Sequence, residues 1–142
     1  MPISVKDCLK IGILNQATVV AGQNGLDRKV DSVTVAEVGL ENWAPDNTLY
    51  GNELVLSALN FAKDDVDKQC NFILSLNESG VSGLVIFYLG IILKDLDQKV
   101  LDAANSINFP IIVMPKNRVD LAYRDVIEDV SIYILNEQKK NL

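Results

Sequence analysis

The sequence predicts an α/β domain: a mainly parallel sheet with helices on its faces, preceded by a short helix and two leading strands. Three observations carry this. Residues 53–57, 83–88 and 111–114 are short apolar runs of the kind found in strands covered on both faces. Each run is followed by a segment whose apolar residues recur at helical spacing. Between them stand helix signals, with Asp clusters at the starts and Gly or Pro at the stops. Strand–helix repeated three times is the pattern of parallel strands joined by right-handed crossovers.

In chain order, Ser4 is placed to cap a short helix with Asp7, a Ser-x-x-Asp pattern, with Val5, Cys8 and Leu9 on its apolar side. Gly12 or the Asn15-Gln16 pair is expected to end it. Residues 17–21 read as a strand, and Gly22-Gln-Asn-Gly25 as a turn, because Asn-Gly accepts positive φ. A second strand is expected over 30–38, with Val33, Val35 and Val38 toward the core. Residues 40–52 contain Pro45, Asn47, Gly51 and the single Trp43, and read as an irregular connection of a kind that is often functional. The alternative is a short helix around 41–44 with Trp43 plugging the core.

Beyond the strand at 53–57, Asp64, Asp65 and Asp67 crowd the start of a helix, where the helix dipole favours them. That helix turns Val66, Cys70, Ile73 and Leu76 inward and stops at Gly80. After the strand at 83–88, Asp95 is expected to open a helix with Leu96, Val100, Ala104 and Ile107 inward. It ends by Phe109, since Pro110 disfavours a helical predecessor. The strand at 111–114 is closed by Pro115. A last helix over 119–137 places Ala122, Tyr123, Val126, Ile127, Val130, Tyr133 and Ile134 on one stripe. Residues 1–136 are read as one domain, and the polar 137–142 as a tail or linker toward a C-terminal part.

Composition narrows the function. The chain has 142 residues, 49% of them hydrophobic, which excludes disorder. With 13 Lys+Arg against 19 Asp+Glu the net charge is −6, which argues against gripping nucleic acid directly. A helix-turn-helix would need a basic recognition helix, and none is visible. The absence of His removes serine-hydrolase triads, Cys–His dyads and His-based metal sites, so no metal or cofactor is expected. Cys8 and Cys70 read as free core thiols of a cytoplasmic protein. No signal-peptide pattern opens the chain, and its most apolar window, 84–93, is about half the length a membrane helix needs.

Glu37 and Glu53 stand at the ends of apolar strands, where a carboxylate is costly unless paired or exposed. They can hydrogen-bond the N–H groups of a heterocycle, or equally pair with Arg28, Lys29 or backbone amides. Ser57 is placed to face the same pocket mouth, and Gly90 to let a ligand approach the backbone or simply to form a turn. A paired-carboxylate glycosidase would need aromatic sugar platforms, and 6% aromatic content does not supply them. On the last helix, Leu121, Ile132 and Leu135 lie off the main stripe and are candidates for a dimer seam.

Five stretches, spread over nearly the whole chain, carry a resemblance. They are Ser4-Val-Lys-Asp7-Cys-Leu9, Val19-Val-Ala-Gly22-Gln-Asn-Gly25-Leu-Asp-Arg28-Lys-Val30, Val33-Thr-Val-Ala-Glu37, Gly51-Asn-Glu53-Leu-Val-Leu56 and Ala104-Asn105-Ser-Ile-Asn-Phe-Pro110-Ile-Ile-Val-Met-Pro115. Together they resemble the N-terminal domain of PucR-type (purine catabolism regulator) bacterial transcription factors. The resemblance implies a non-enzymatic regulatory domain that senses a purine-related metabolite, forms a homodimer, or both. DNA would be reached through a C-terminal helix-turn-helix outside these residues. The alternatives are a purely structural dimerisation module and a small carboxylate-dependent enzyme. Where relatives read Gly-Gly-Glu and Thr-Thr-Gly, this chain has Gly51-Asn52-Glu53 and Ser57-Ala-Leu59, and Ile91-Ile-Leu and Leu96-Asp97 also depart from the pattern. Ligand specificity is therefore expected to differ.

Overall fold

The computed structural model of the protein describes residues 2–39 and 49–140. The irregular segment expected around Trp43, and the short helix that is its alternative, lie outside the described residues. Helices α1 (Val5–Cys8), α2 (Val66–Glu78), α3 (Gln98–Ser106) and α4 (Tyr123–Lys139) accompany strands β1 (Thr18–Ala21), β2 (Ser32–Val35), β3 (Glu53–Ser57), β4 (Gly83–Ile86) and β5 (Ile111–Val113). One sheet runs in the order β1-β5-β4-β3-β2. Strands β2 to β5 are parallel, and β1 is antiparallel to β5. The expected α/β class is thus the observed one, with the two leading strands at opposite edges.

Alternate residues of the central strands feed two cores. Val55, Leu84, Ile86 and Ile111 pack with Ile73, Leu76, Val100 and Ala104 under α2 and α3. Leu54, Leu56, Val85 and Ile112 pack with Val5, Cys8, Val126 and Val130 under α1 and α4. Two-sided burial is why these strands read as unbroken apolar runs.

Local signals mostly hold. Ser4 Oγ accepts from Asp7 N at 3.2 Å, and Asp7 returns the bond to Ser4 N at 3.0 Å, a complete capping box. The chain then leaves α1 after four residues and enters a 3-10 turn, Gly12–Gln16. Asp65 caps α2, and Gly80 ends it at φ +81°, with Val81 N bonded back to Leu76 O at 3.0 Å. The third helix starts later than its acidic cluster suggests: Asp97, not Asp95, is the cap. The last helix begins at Tyr123 rather than Val119, which is 76% exposed, and it continues through Lys139 into the segment expected to be a tail.

Strand β2 and the turn before it also depart from the sequence expectation. Strand β2 is shorter than 30–38, and Val35 and Val38 are exposed. It is an edge strand, and Val33 packs into the core on the α4 side while Ala36 is buried just beyond it. In the turn, positive φ falls on Gly22 (+70°) and not on Asn24 or Gly25. Gly25 is required for another reason, described below.

Cys8 and Cys70 are free thiols, Cys8 fully buried and Cys70 half-buried. Burial, with Asp7 nearby, pushes the Cys8 thiol up to about 12. The unfolded thiol ionises near 9.0, so its contribution to stability is complete below that pH and is lost as pH rises toward about 12. Urea unfolding is expected to show stability falling above pH 9, by up to about 1.4 kcal/mol per pH unit from this group. Cys8→Ala should flatten that fall; an unchanged alkaline slope would assign it elsewhere, first to Tyr123, whose phenol burial also raises.

Candidate functional site

The residues singled out in the sequence are divided between the two ends of the sheet. Ser32 pairs with Glu53 and Val35 with Leu56, so β2 and β3 run side by side with Glu53 at their amino end. Glu37, past the carboxy end of β2, accepts from Ala58 N at 3.1 Å. About five strand residues, roughly 16 Å, separate the two carboxylates. They do not form one site.

At the amino edge, Glu53 is 3% exposed and accepts from Tyr50 N at 2.7 Å and Gly51 N at 3.0 Å. Both its oxygens serve its own loop. Gly51 has φ +99° beside Asn52 at +64°, and Asn52 N bonds Gly80 O at 2.7 Å. The Gly22-to-Val30 motif also lies here, because β1 and β2 occupy opposite edges and the chain between them must cross the amino ends of β5, β4 and β3. This strap is bonded as it passes. Gly22 N donates to Asn105 Oδ1 at 2.8 Å, and Arg28 donates to Val81 O and Ile107 O, each at 3.1 Å. Asp31 N donates to Asn52 O at 2.8 Å. Pro110, whose missing N–H no ladder needs, gives its carbonyl to Leu84 N at 3.0 Å.

The carboxy edge is where parallel sheets present loops to ligands. On its α4 face, Tyr123, the first residue of α4, donates its hydroxyl to Glu37. Burial first, then that carboxylate, raises the phenol. Its ring meets Phe87 edge-on at 4.8 Å and Tyr88 at 5.8 Å. The pair thus pins the start of α4 to the sheet. Ser57 is buried, with its Oγ accepting from Leu59 N at 3.0 Å. Gly90 (φ +89°) closes against Asn117, whose Oδ1 would stand 2.4 Å from an added Cβ. Leu59 (φ 57°) and Tyr88 (φ 60°) hold the left-handed conformation just past β3 and β4. Such backbone costs on the order of 1–3 kcal/mol per bulky residue and clusters at binding and switch sites.

On the α2–α3 face of this edge, the β3–α2 and β4–α3 loops enclose a groove of about 730 Å³, within the range of small-molecule sites. Lys63, Asp64, Val66 and Gln69 line one wall, and residues 91–97 the other. Glu37, Glu53, Ser57 and Gly90 are not among the lining residues. Asp95 accepts from Leu96 N at 2.9 Å and pairs with Lys116 at 3.3 Å, and these contacts hold its carboxyl below the usual range. Asp97 is occupied by the α3 cap, accepting from Lys99 N at 2.9 Å. Sequence reasoning passed over Gln69, although a signal was there: a polar side chain falls on the buried stripe shared by Phe72, Ile73 and Leu76.

Of the three positions expected to form a seam, Leu121 is 5% exposed and belongs to the core. Ile132 and Leu135 are 58% and 52% exposed on α4. Ile132 borders a hollow of about 310 Å³ with Ile11, Asp129 and Tyr133. Among the described residues no helix is long and apolar enough to cross a membrane, and no cluster of Cys, Asp and Glu is arranged to hold a metal.

These features define an α/β domain with one five-stranded sheet, an amino edge crossed by a strap and, among the described residues, a groove at the α2–α3 side of its carboxy edge. The chain belongs to the PucR family, the purine catabolism regulatory protein-like family, whose model matches residues 7–134. It is 26% identical over 142 residues to the purine catabolism regulatory protein of Bacillus subtilis (strain 168). The match covers 99% of this chain and 25% of that protein, so the chain spans about a quarter of its relative's length.

Proposed function

We propose that this chain is the regulatory domain of a transcription regulator, taking a small metabolite at the carboxy-edge groove and passing occupancy to α4. The observation that carries this reading is the bonding of the groove's outer wall to the segment that feeds α4. Asn117 N donates to Leu89 O at 2.9 Å, and Lys116 pairs with Asp95. A ligand that prefers one arrangement of residues 89–97 therefore biases 116–117 and, through them, the helix, by linkage. The domain itself acts in the cytoplasm, catalyses no reaction and leaves DNA contact to another part of the regulator, in keeping with its net charge of −6. Because the Bacillus relative is named for purine catabolism, purines and their breakdown products are the first ligands to try.

The exposed Ile132 and Leu135 support a second reading, self-association of two copies through α4. One set of measurements tests both. Thermal unfolding at fixed protein concentration should rise saturably with the right metabolite, since ligand at 100 times its dissociation constant adds about 2.7 kcal/mol. That is a shift of several degrees for a domain of this size. A flat panel would remove the sensing reading. Sedimentation over a concentration series should show a dimer that Ile132→Glu with Leu135→Glu dissociates without unfolding. A monomer at every concentration would remove the second reading.

A further inference from the structure

Gln69 sits one turn into α2 and is 3% exposed, in the wall of the groove. Its Nε2 donates to Ala62 O at 2.8 Å, which fixes the amide's orientation, because the flipped form would set oxygen against oxygen. Its Oε1 is buried and accepts from nothing, the one such side-chain atom among the described residues. A buried acceptor left unpaired is costly, and an apolar side chain of similar volume would fill the place without that cost. Ala62 O does not require the glutamine, since Asp65 N already bonds it at 3.1 Å. The oxygen thus has no role in holding the fold.

The charges around it are unequally engaged. Asp95 and Asp97 are bonded as described, whereas no hydrogen bond or ion pair joins the side-chain ammonium of Lys63 or Lys94 to any described residue. Asp64 is the one lining carboxylate without such a bond.

We infer that the groove takes a small anion bearing an N–H donor, the N–H bonding to Gln69 Oε1 and the negative charge lying between Lys63 and Lys94. This rests on the reading of the groove as the ligand site and names the chemistry it selects. The oxygen is buried in the groove wall, so an N–H reaches it only where the wall gives locally. Selectivity follows from the same atom: a ligand of equal shape and charge that presents an oxygen instead of N–H would face Oε1 with a lone pair.

N-acetylglycine and acetoxyacetate provide that comparison, differing by N–H against ester oxygen. Each would be titrated into the uniformly ¹⁵N-labelled 142-residue chain and followed through the Gln69 side-chain amide and the backbone amides of 63–66 and 91–97. The expected result is saturable shifts with N-acetylglycine and affinity about tenfold weaker or worse for acetoxyacetate. In Gln69→Met the domain should remain folded and the two probes should bind alike, while Lys63→Ala with Lys94→Ala should weaken both. Equal binding of the two probes to the unaltered chain would overturn the role of Gln69 and leave the groove as a ligand site. Discrimination that survives Gln69→Met would overturn it as well. No perturbation of groove amides by either probe would overturn the inference together with the reading it rests on.

Discussion

Replacing Gly25 with alanine is expected to cost about 3 kcal/mol or more, a drop of ten degrees or so in Tm. The Cβ would stand 2.0 Å from Asn108 O and 2.9 Å from Pro110 Cδ. Asn108 is backbone on the strap's far side, tied by its own place at the end of α3, so neither partner yields cheaply. Gly25 does not have positive φ, and alanine there suffers no conformational penalty. The whole effect is therefore close approach. Gly51→Ala is the natural contrast: φ is +99°, but the nearest atoms to an added Cβ are 3.9 Å away. That variant should lose only about 1–2 kcal/mol of backbone strain. Urea unfolding of the two, with unchanged m, checks the ordering. If Gly51→Ala proved the more damaging, the strap would not be the tightly packed element described above.

Arg28→Met is the second large effect, expected at about 2–3 kcal/mol from two lost charge-assisted hydrogen bonds in a half-buried setting. The guanidinium joins the strap to Val81 O and Ile107 O, just beyond the ends of α2 and α3, where helix carbonyls carry partial negative charge. It also lies over the Phe109 ring at 5.4 Å. Burial lowers its affinity for the proton, yet an arginine keeps its charge at any pH the fold survives. Arg28→Lys should restore less than half of the loss, because one ammonium cannot span two carbonyls as a planar fork does. Full restoration by lysine would show that charge alone, and not the fork, holds the strap.

Both effects fall on the stretch from Gly22 to Val30, one of the five that together carry the family resemblance. Within the fold that motif ties the strap to the ends of α2 and α3. The Gly51-Asn-Glu53 stretch is likewise tied within the fold, with Glu53 bonding its own loop. The sequence singled out these positions and left their purpose open, because carboxylates and glycines at strand ends look alike whether they meet a ligand or a neighbouring backbone. Gln69 illustrates the opposite case. Its place on the apolar stripe of α2 was legible, but the absence of a partner for its side-chain oxygen is a property of the assembled loops.

The sequence by itself determined the α/β class, the three buried parallel strands and the presence and order of the helices. These follow from hydrophobic period and from caps such as the Ser4–Asp7 box, which are interactions within a few residues of the chain. Only the tertiary structure decided that β1 and β2 lie at opposite edges of the sheet. That choice sends the strap across the amino ends, while the parallel pairing of β2 with β3 parts Glu37 from Glu53. The reason is physical: strand order is set by which long-range contacts offset the entropy of closing long loops, and no local pattern records that balance.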